Sequence, residues 1–192
     1  MKQGNAATRF ALPARLLHWL MAPMVIAQLF IGVTMVAALS YYPLLLAIHR
    51  PLGVLILAFA VVRLGNRLRH RPPPFLSTMS GAERRLATWS EYLLYALLLV
   101  QPLTGWATLS AARVPVTLVG PVKLPGIAPH SIDVFAVLRE CHGAFAVLLF
   151  ATFTAHMCAV LFHTLVLRDR LLDRMALWRG RPPAPQPGRA DL

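Results

Sequence analysis

Acidic residues are scarce in this chain: Asp and Glu number 7 among 192 residues, and all charged residues together make up only 14%. A soluble domain carries about 25% charged residues, so a water-facing surface of ordinary composition is excluded. Apolar side chains take their place, at 57% of the sequence with a mean hydropathy of +0.61. The surplus must face lipid. Cysteine is nearly absent too, and Cys141 and Cys158 sit on one expected helix, about 25 Å apart by its rise, too far to bridge each other. Neither belongs to a C-x-x-C-H run, which excludes covalent c-type haem attachment. The 19 Lys and Arg give a net charge of +12, but they cluster beside the apolar runs and form no stripe with interleaved aromatics. Nucleic acid is therefore excluded as a partner.

What the chain has in abundance is long uncharged runs, and the reading is an all-α integral membrane four-helix bundle. Residues 16–39 give a first span long enough to cross a hydrocarbon core of roughly 30 Å, and too long for the apolar region of a cleaved signal peptide. Residues 44–62, 86–109 and 138–167 supply three more, so residues 1–181 are expected to form one domain. The proline-rich stretch 182–192 reads as a disordered tail. Between the second and third spans lies an arginine-rich loop broken by Pro72, Pro73 and Pro74. A Pro- and Gly-rich connection from Ser110 to Asp133 is expected to fold over one mouth of the bundle as a cap.

Fifteen of the Lys and Arg flank the N-terminus, the loop between spans two and three, or the C-terminal segment. The other connections hold only Arg50, Arg113, Lys123 and Arg139. By the positive-inside rule both termini are expected in the cytoplasm.

Histidine is costly in lipid and usually marks a function there. The last span carries His142, His156 and His163. The first two are fourteen residues apart, about 21 Å and close to four turns, hence nearly on one face. With the expected orientation, His49 and His142 lie toward the outer side, and His18 and His156 toward the inner side. By depth alone His163 could replace His156 as the partner of His18. Two imidazoles per level, with no carboxylate or thiolate beside them, suit a six-coordinate haem, whose porphyrin supplies the other four nitrogens. Zinc wants four protein ligands, or three and an open position. Gly53, on the same face as His49, leaves room for a flat group beside the imidazole or for close helix packing. Span three has no histidine, so a histidine-held cofactor falls to the other three helices. His70 and His130 read as surface residues.

The ensemble of Leu17-His18-Trp19, Ile48-His49-Arg50, Val62-Arg63-Leu64, Arg71-Pro72-Pro73-Pro74, Tyr95, Pro102-Leu103-Thr104-Gly105-Trp106, Cys141-His142-Gly143, His156, His163 and Arg168-Asp169 resembles the bacterial cytochrome b561 family of di-haem membrane cytochromes, which includes the superoxide oxidase type. The resemblance covers nearly the whole chain. It implies two non-covalent, bis-histidine haem b groups, one held by His18 and His156 and the other by His49 and His142. It implies a multi-pass protein of the bacterial inner membrane that passes electrons from superoxide or another one-electron donor to ubiquinone. On this reading the candidate catalytic residues are His163, able to hydrogen-bond a quinone carbonyl and deliver a proton, and Arg50 at the outer mouth, where basic residues attract an anion. Family members often carry a histidine on the third helix where this chain has Glu91, which reads as an interfacial carboxylate paired with an arginine. Two alternatives stay open: a cytochrome subunit relaying electrons between quinol and a partner dehydrogenase or hydrogenase, and a non-redox protein whose histidines bind zinc or copper.

Overall fold

A computed structural model of the chain describes residues 9–117, 122–169 and 171–178. Four helices dominate it: α1 (Leu12–Ala37), α2 (Tyr42–Arg69), α3 (Gly81–Ala111) and α4 (Ile132–Leu161). All four are long and apolar enough to cross a membrane. Lys2 and the stretch 182–192 lie outside the described residues.

The helices overrun the apolar runs because the backbone can stay helical where side chains have left the hydrocarbon. α1 starts at Leu12, with Pro13 in its first turn, where the missing N–H costs nothing. α2 continues past Val62 to Arg69, ending at His70 just ahead of the proline run that cannot continue it. α3 starts five residues before Leu86 through a capping box, in which Ser80 Oγ accepts from the Glu83 N–H and Glu83 accepts from the Ser80 N–H. α4 starts at Ile132, six residues earlier than the apolar run, because the Ser131 side chain accepts from Val134 N–H and Asp133 sits in the positive first turn. Beyond Leu161 the last span loosens into a π-helix, Phe162–Leu167, closed by Arg168 in the left-handed region at φ 52°.

Packing is uneven, and the unevenness matters. α1 lies along α2, α3 lies along α4, and α2 touches α3, whereas the backbone of α4 comes within 8 Å of α1 or α2 almost nowhere. Two helix pairs therefore face one another across a gap. Side chains that are buried, such as Met21, Val25, Ile56, Ala60, Leu97 and Leu149, are few, and no large side chain is fully buried among the described residues. Outward faces are apolar instead, with Phe30 68%, Val36 81% and Val147 70% exposed, as lipid contact allows.

Each end of the bundle is covered. At one end, the hairpin end, the strands β1 (Val116–Thr117) and β2 (Lys123–Leu124) pair antiparallel. Trp106 Nε1 donates to the Pro125 carbonyl at 2.9 Å, and the Ile127 N–H donates to Ser110 Oγ at 3.2 Å. The described part of the connection thus packs on the ends of α2 and α3. His130 is exposed, as expected of a surface residue, and its ring Nδ1 also donates to the Ala111 carbonyl at 2.7 Å, tying off the end of α3.

At the other end, the basic end, residues 171–178 form a strap that the sequence had shown only as a basic stretch. Arg9 Nε donates to the Asp173 carbonyl at 3.1 Å, Arg15 Nη1 to that of Ala176 at 2.8 Å and Trp19 Nε1 to that of Met175 at 2.9 Å. Both ends of the described chain therefore lie together. Arg67 and Glu91 join α2 to α3 there through an ion pair of 2.7 Å.

Candidate functional site

At the hairpin end, His49 near the start of α2 and His142 in α4 reach toward each other across the gap. Their ring centres are 6.3 Å apart and the ring planes are nearly perpendicular, at 81°. His142 Nδ1 donates to the Gln101 carbonyl at 3.1 Å, with Thr104 Oγ1 at 3.2 Å from the same nitrogen. That bond fixes the proton on Nδ1 and leaves Nε2 with its lone pair, which the Gln101 amide Nε2 faces at 3.3 Å. The Nδ1 of His49 is buried with no hydrogen-bond partner among the described residues.

A glycine stands beside each ring, and the one at Gly105 is required by its closeness. A Cβ at Gly105 of α3 would lie 2.9 Å from His142 Cε1, and one at Gly32 of α1 would lie 3.9 Å from His49 Cε1. Gly53 does something other than open space for a flat group: a Cβ there would lie 3.2 Å from Gln28 Nε2, so this glycine admits the amide that bonds the His49 carbonyl at 3.0 Å. Arg50 follows His49, and its Nε is buried without a partner among the described residues.

Toward the basic end, His18 of α1 and His156 of α4 lie within electrostatic reach of each other, and Arg63 of α2 lies within reach of both. Trp19 packs edge-on to His18 at 5.8 Å and continues to Trp178 of the strap at 6.0 Å. His163, one π-helical stretch farther along, is 8% exposed and gives its Nδ1–H to the Asp169 carboxylate. Asp169 is held in turn by the Leu171 N–H at 3.1 Å. His70 is exposed, with its ring nitrogen on the Asn66 carbonyl of its own helix at 3.1 Å.

The model of the prokaryotic cytochrome b561 family matches residues 9–178. The chain belongs to that family. It is similar to a probable superoxide oxidase CybB of Yersinia pestis, 29% identical over 160 residues, which span 83% of this chain and 90% of that protein. It is also similar to the cytochrome b561 homolog 1 of Escherichia coli (strain K12), 25% identical over 176 residues, spanning 87% of this chain and 96% of the other. The protein is thus a multi-pass membrane cytochrome of the bacterial inner membrane, with b-type haem and electron transfer as its trade.

The residues at the hairpin end fit such a group. Two imidazoles that shared one metal atom, each nitrogen about 2.0–2.1 Å from it, would have their ring centres about 6 Å apart. His49 and His142 stand at 6.3 Å, on helices whose backbones the fold holds apart. Bare-ion binding fits less well: among the described residues no three His, Cys, Asp or Glu side chains are grouped to hold a metal ion. Cys141 and Cys158 are free.

Several residues of the site had drawn no attention in the sequence: Gln28 and Gln101 hold the backbone of the two histidines, and Gly32 lies beside the His49 ring. Asp169, noted there only as part of a motif, orients His163. The glutamines carried a signal: an uncharged but strongly hydrogen-bonding amide inside an apolar span needs a partner.

Proposed function

We propose that the protein is a di-haem b cytochrome that takes single electrons at the hairpin end, superoxide being the favoured donor, and delivers them to ubiquinone at the basic end. His49 and His142 would hold one haem and His18 and His156 the other. The carrying observation is the facing, perpendicular pair His49 and His142 at 6.3 Å. Fifteen of the nineteen Lys and Arg fall in the N-terminal, second-to-third and C-terminal segments of the sequence, whose described parts lie at the basic end; by the positive-inside rule that end would be cytoplasmic and superoxide met outside. The name of the Yersinia pestis relative supports superoxide as the donor. The fold within residues 9–178 supports a single domain, taken as 1–181.

Haem, when bound, supplies reversible one-electron chemistry at a site closed to water. The balance of the reaction is simple: two superoxide anions each lose one electron and leave as dioxygen, while one quinone gains two electrons and two protons to become quinol. The chain's own part lies in binding, shielding and proton handling. Arg50, beside His49 at the outer mouth, attracts the anionic donor. His49 and His142 fix the orientation of the outer group, and the β1–β2 cap with Trp106 covers that mouth. At the basic end His163 donates a proton to the quinone from Nε2, because Nδ1 is committed to Asp169, whose charge stabilises the imidazolium before it gives the proton up.

Stopped-flow mixing of the isolated protein with superoxide, in the presence of a ubiquinone, tests this reading. The expected result is reduction of the haem absorbance within the mixing experiment and accumulation of quinol. Inertness of the purified haem-loaded chain toward superoxide would sink it, and would favour instead a cytochrome that needs a partner dehydrogenase or hydrogenase.

A further inference from the structure

Gln28 and Gln101 occupy equivalent places in the two helix pairs. On α1 the spacing is Gln28-x-x-x-Gly32, on α3 it is Gln101-x-x-x-Gly105, one helical turn apart in each case. Gln28 Nε2 donates to the carbonyl of His49 at 3.0 Å; Gln101 Nε2 donates to the carbonyl of His142 at 3.1 Å. The glycine one turn along each helix lies against Cε1 of the same histidine. The histidine helices match as well, since His49 is followed four residues later by Gly53 and His142 by Ala146, small residues one turn along on the same face as each histidine. The α1–α2 pair and the α3–α4 pair thus share the tie from glutamine amide to histidine carbonyl and the glycine beside it, and the two meet at the gap; Gln101 alone also reaches the ring, with its Nε2 at 3.3 Å from His142 Nε2.

From this repetition the geometry points to Gln28 and Gln101 as a matched pair of positioning residues that set the orientation of the two outer histidines. A helix carbonyl normally accepts from the N–H four residues on, and a side-chain amide from a neighbouring helix adds a second bond to the same oxygen. In hydrocarbon that oxygen finds no water to compete. Each amide therefore ties the rotation of its histidine's helix to the neighbour that also carries the contacting glycine. The amide orientation is not arbitrary. Turning either one over would set its oxygen against the histidine carbonyl oxygen, and both Oε1 atoms are already buried without a partner among the described residues. The nearly perpendicular setting of the rings, 81°, is the outcome of two separate anchors, one on each side.

This inference rests on the reading of His49 and His142 as the ligands of one haem, and the test separates the two. Haem content, the low-spin electron paramagnetic resonance signal and the midpoint potential of each haem are measured on the membrane-extracted full chain and on four variants: Gln28→Leu, Gln101→Leu, His49→Ala and His142→Ala. The relative orientation of axial rings governs that resonance signal, which a change in mere bundle stability does not move. The glutamine variants are expected to shift the signal and potential of one and the same haem, the one the histidine variants lose, and to weaken its retention by about tenfold or more. The other haem stays unchanged. Gln101→Glu, whose neutral acid can still donate to the His142 carbonyl, restores the signal. Histidine variants that share a lost haem, with glutamine variants that leave its signal untouched or with only one of the two acting, overturn the matched pair while leaving the ligand reading in place. Histidine variants that share no lost haem overturn both.

Discussion

Adding one methyl group to Gly105 is the sharpest way to press on the hairpin-end site. The new Cβ would sit 2.9 Å from His142 Cε1 and 3.3 Å from its Nδ1, where carbon atoms prefer about 3.5–4.0 Å. The ring must therefore retreat by about 0.6 Å or more, which stretches its hydrogen bond to the Gln101 carbonyl, 3.1 Å away and one turn back on the same helix as Gly105. A helix interior would otherwise welcome the change, since alanine outranks glycine there by about 1 kcal/mol. Overpacking of this kind costs about 1–3 kcal/mol, equivalent to roughly 5- to 150-fold in affinity for whatever the ring holds. Gly32→Ala is the built-in control: its Cβ would meet His49 Cε1 at 3.9 Å, an ordinary contact, so the outer group is retained. The assay is haem per chain, with a reductive titration resolving the two haems after graded dilution in detergent. Gly105→Ala is expected to lose or shift only one haem, and Gly32→Ala neither. Gly105→Ala with both haems and both potentials unchanged would refute the claim that His142 is wedged into place by its neighbour.

Asp169→Asn replaces the charged acceptor of His163 Nδ1–H by a neutral amide oxygen and is expected to leave haem content and superoxide-driven haem reduction intact while quinol formation falls by up to about 100-fold, with an altered pH profile; equal loss at both steps would contradict a role confined to the quinone. At the start of α3, the Ser80 backbone N–H and then its hydroxyl hold the Glu83 carboxyl below its ordinary value. A depressed folded value means that this local stabilisation is present above the unfolded value and fades as pH falls through the folded one. Fraying of the first turn of α3, followed by amide exchange corrected for intrinsic rate, is expected to grow only under acid conditions, and Ser80→Ala is expected to produce it at neutral pH at a cost of about 1 kcal/mol.

The span count and the bundle were legible because hydrocarbon imposes one demand, an uncharged run of sufficient length, and the sequence meets it four times. Helix ends were less legible, since Ser80, Ser131 and the basic turn at Arg67 and Arg69 prolong helices by capping and by polar side chains that apolar counting ignores. Grouping by depth had set His49 with His142, and those two rings face each other; the partner of His18 it left open, and His156 came from the resemblance. Depth could not distinguish His156 from His163; the partner of His163, Asp169, follows a π-helix and a left-handed residue that no periodicity announces. Gly53 illustrates a different limit. Its smallness was visible, but what fills the space, the Gln28 amide, depends on the rotation of a neighbouring helix. The strap at the basic end was hidden for a related reason, because its bonds run from Arg9, Arg15 and Trp19 to backbone carbonyls, which every sequence possesses.

The central claim is that imidazoles from α1, α2 and α4 hold two haems, one toward each end of the bundle. Haem per chain, measured on the purified protein and on His18→Ala, His49→Ala, His142→Ala and His156→Ala, tests it most directly. About two haems are expected in the parent, with loss of one shared haem in the His49 and His142 variants and loss of the other in the His18 and His156 variants. A colourless parent protein, or four variants that lose haem indiscriminately, would contradict it.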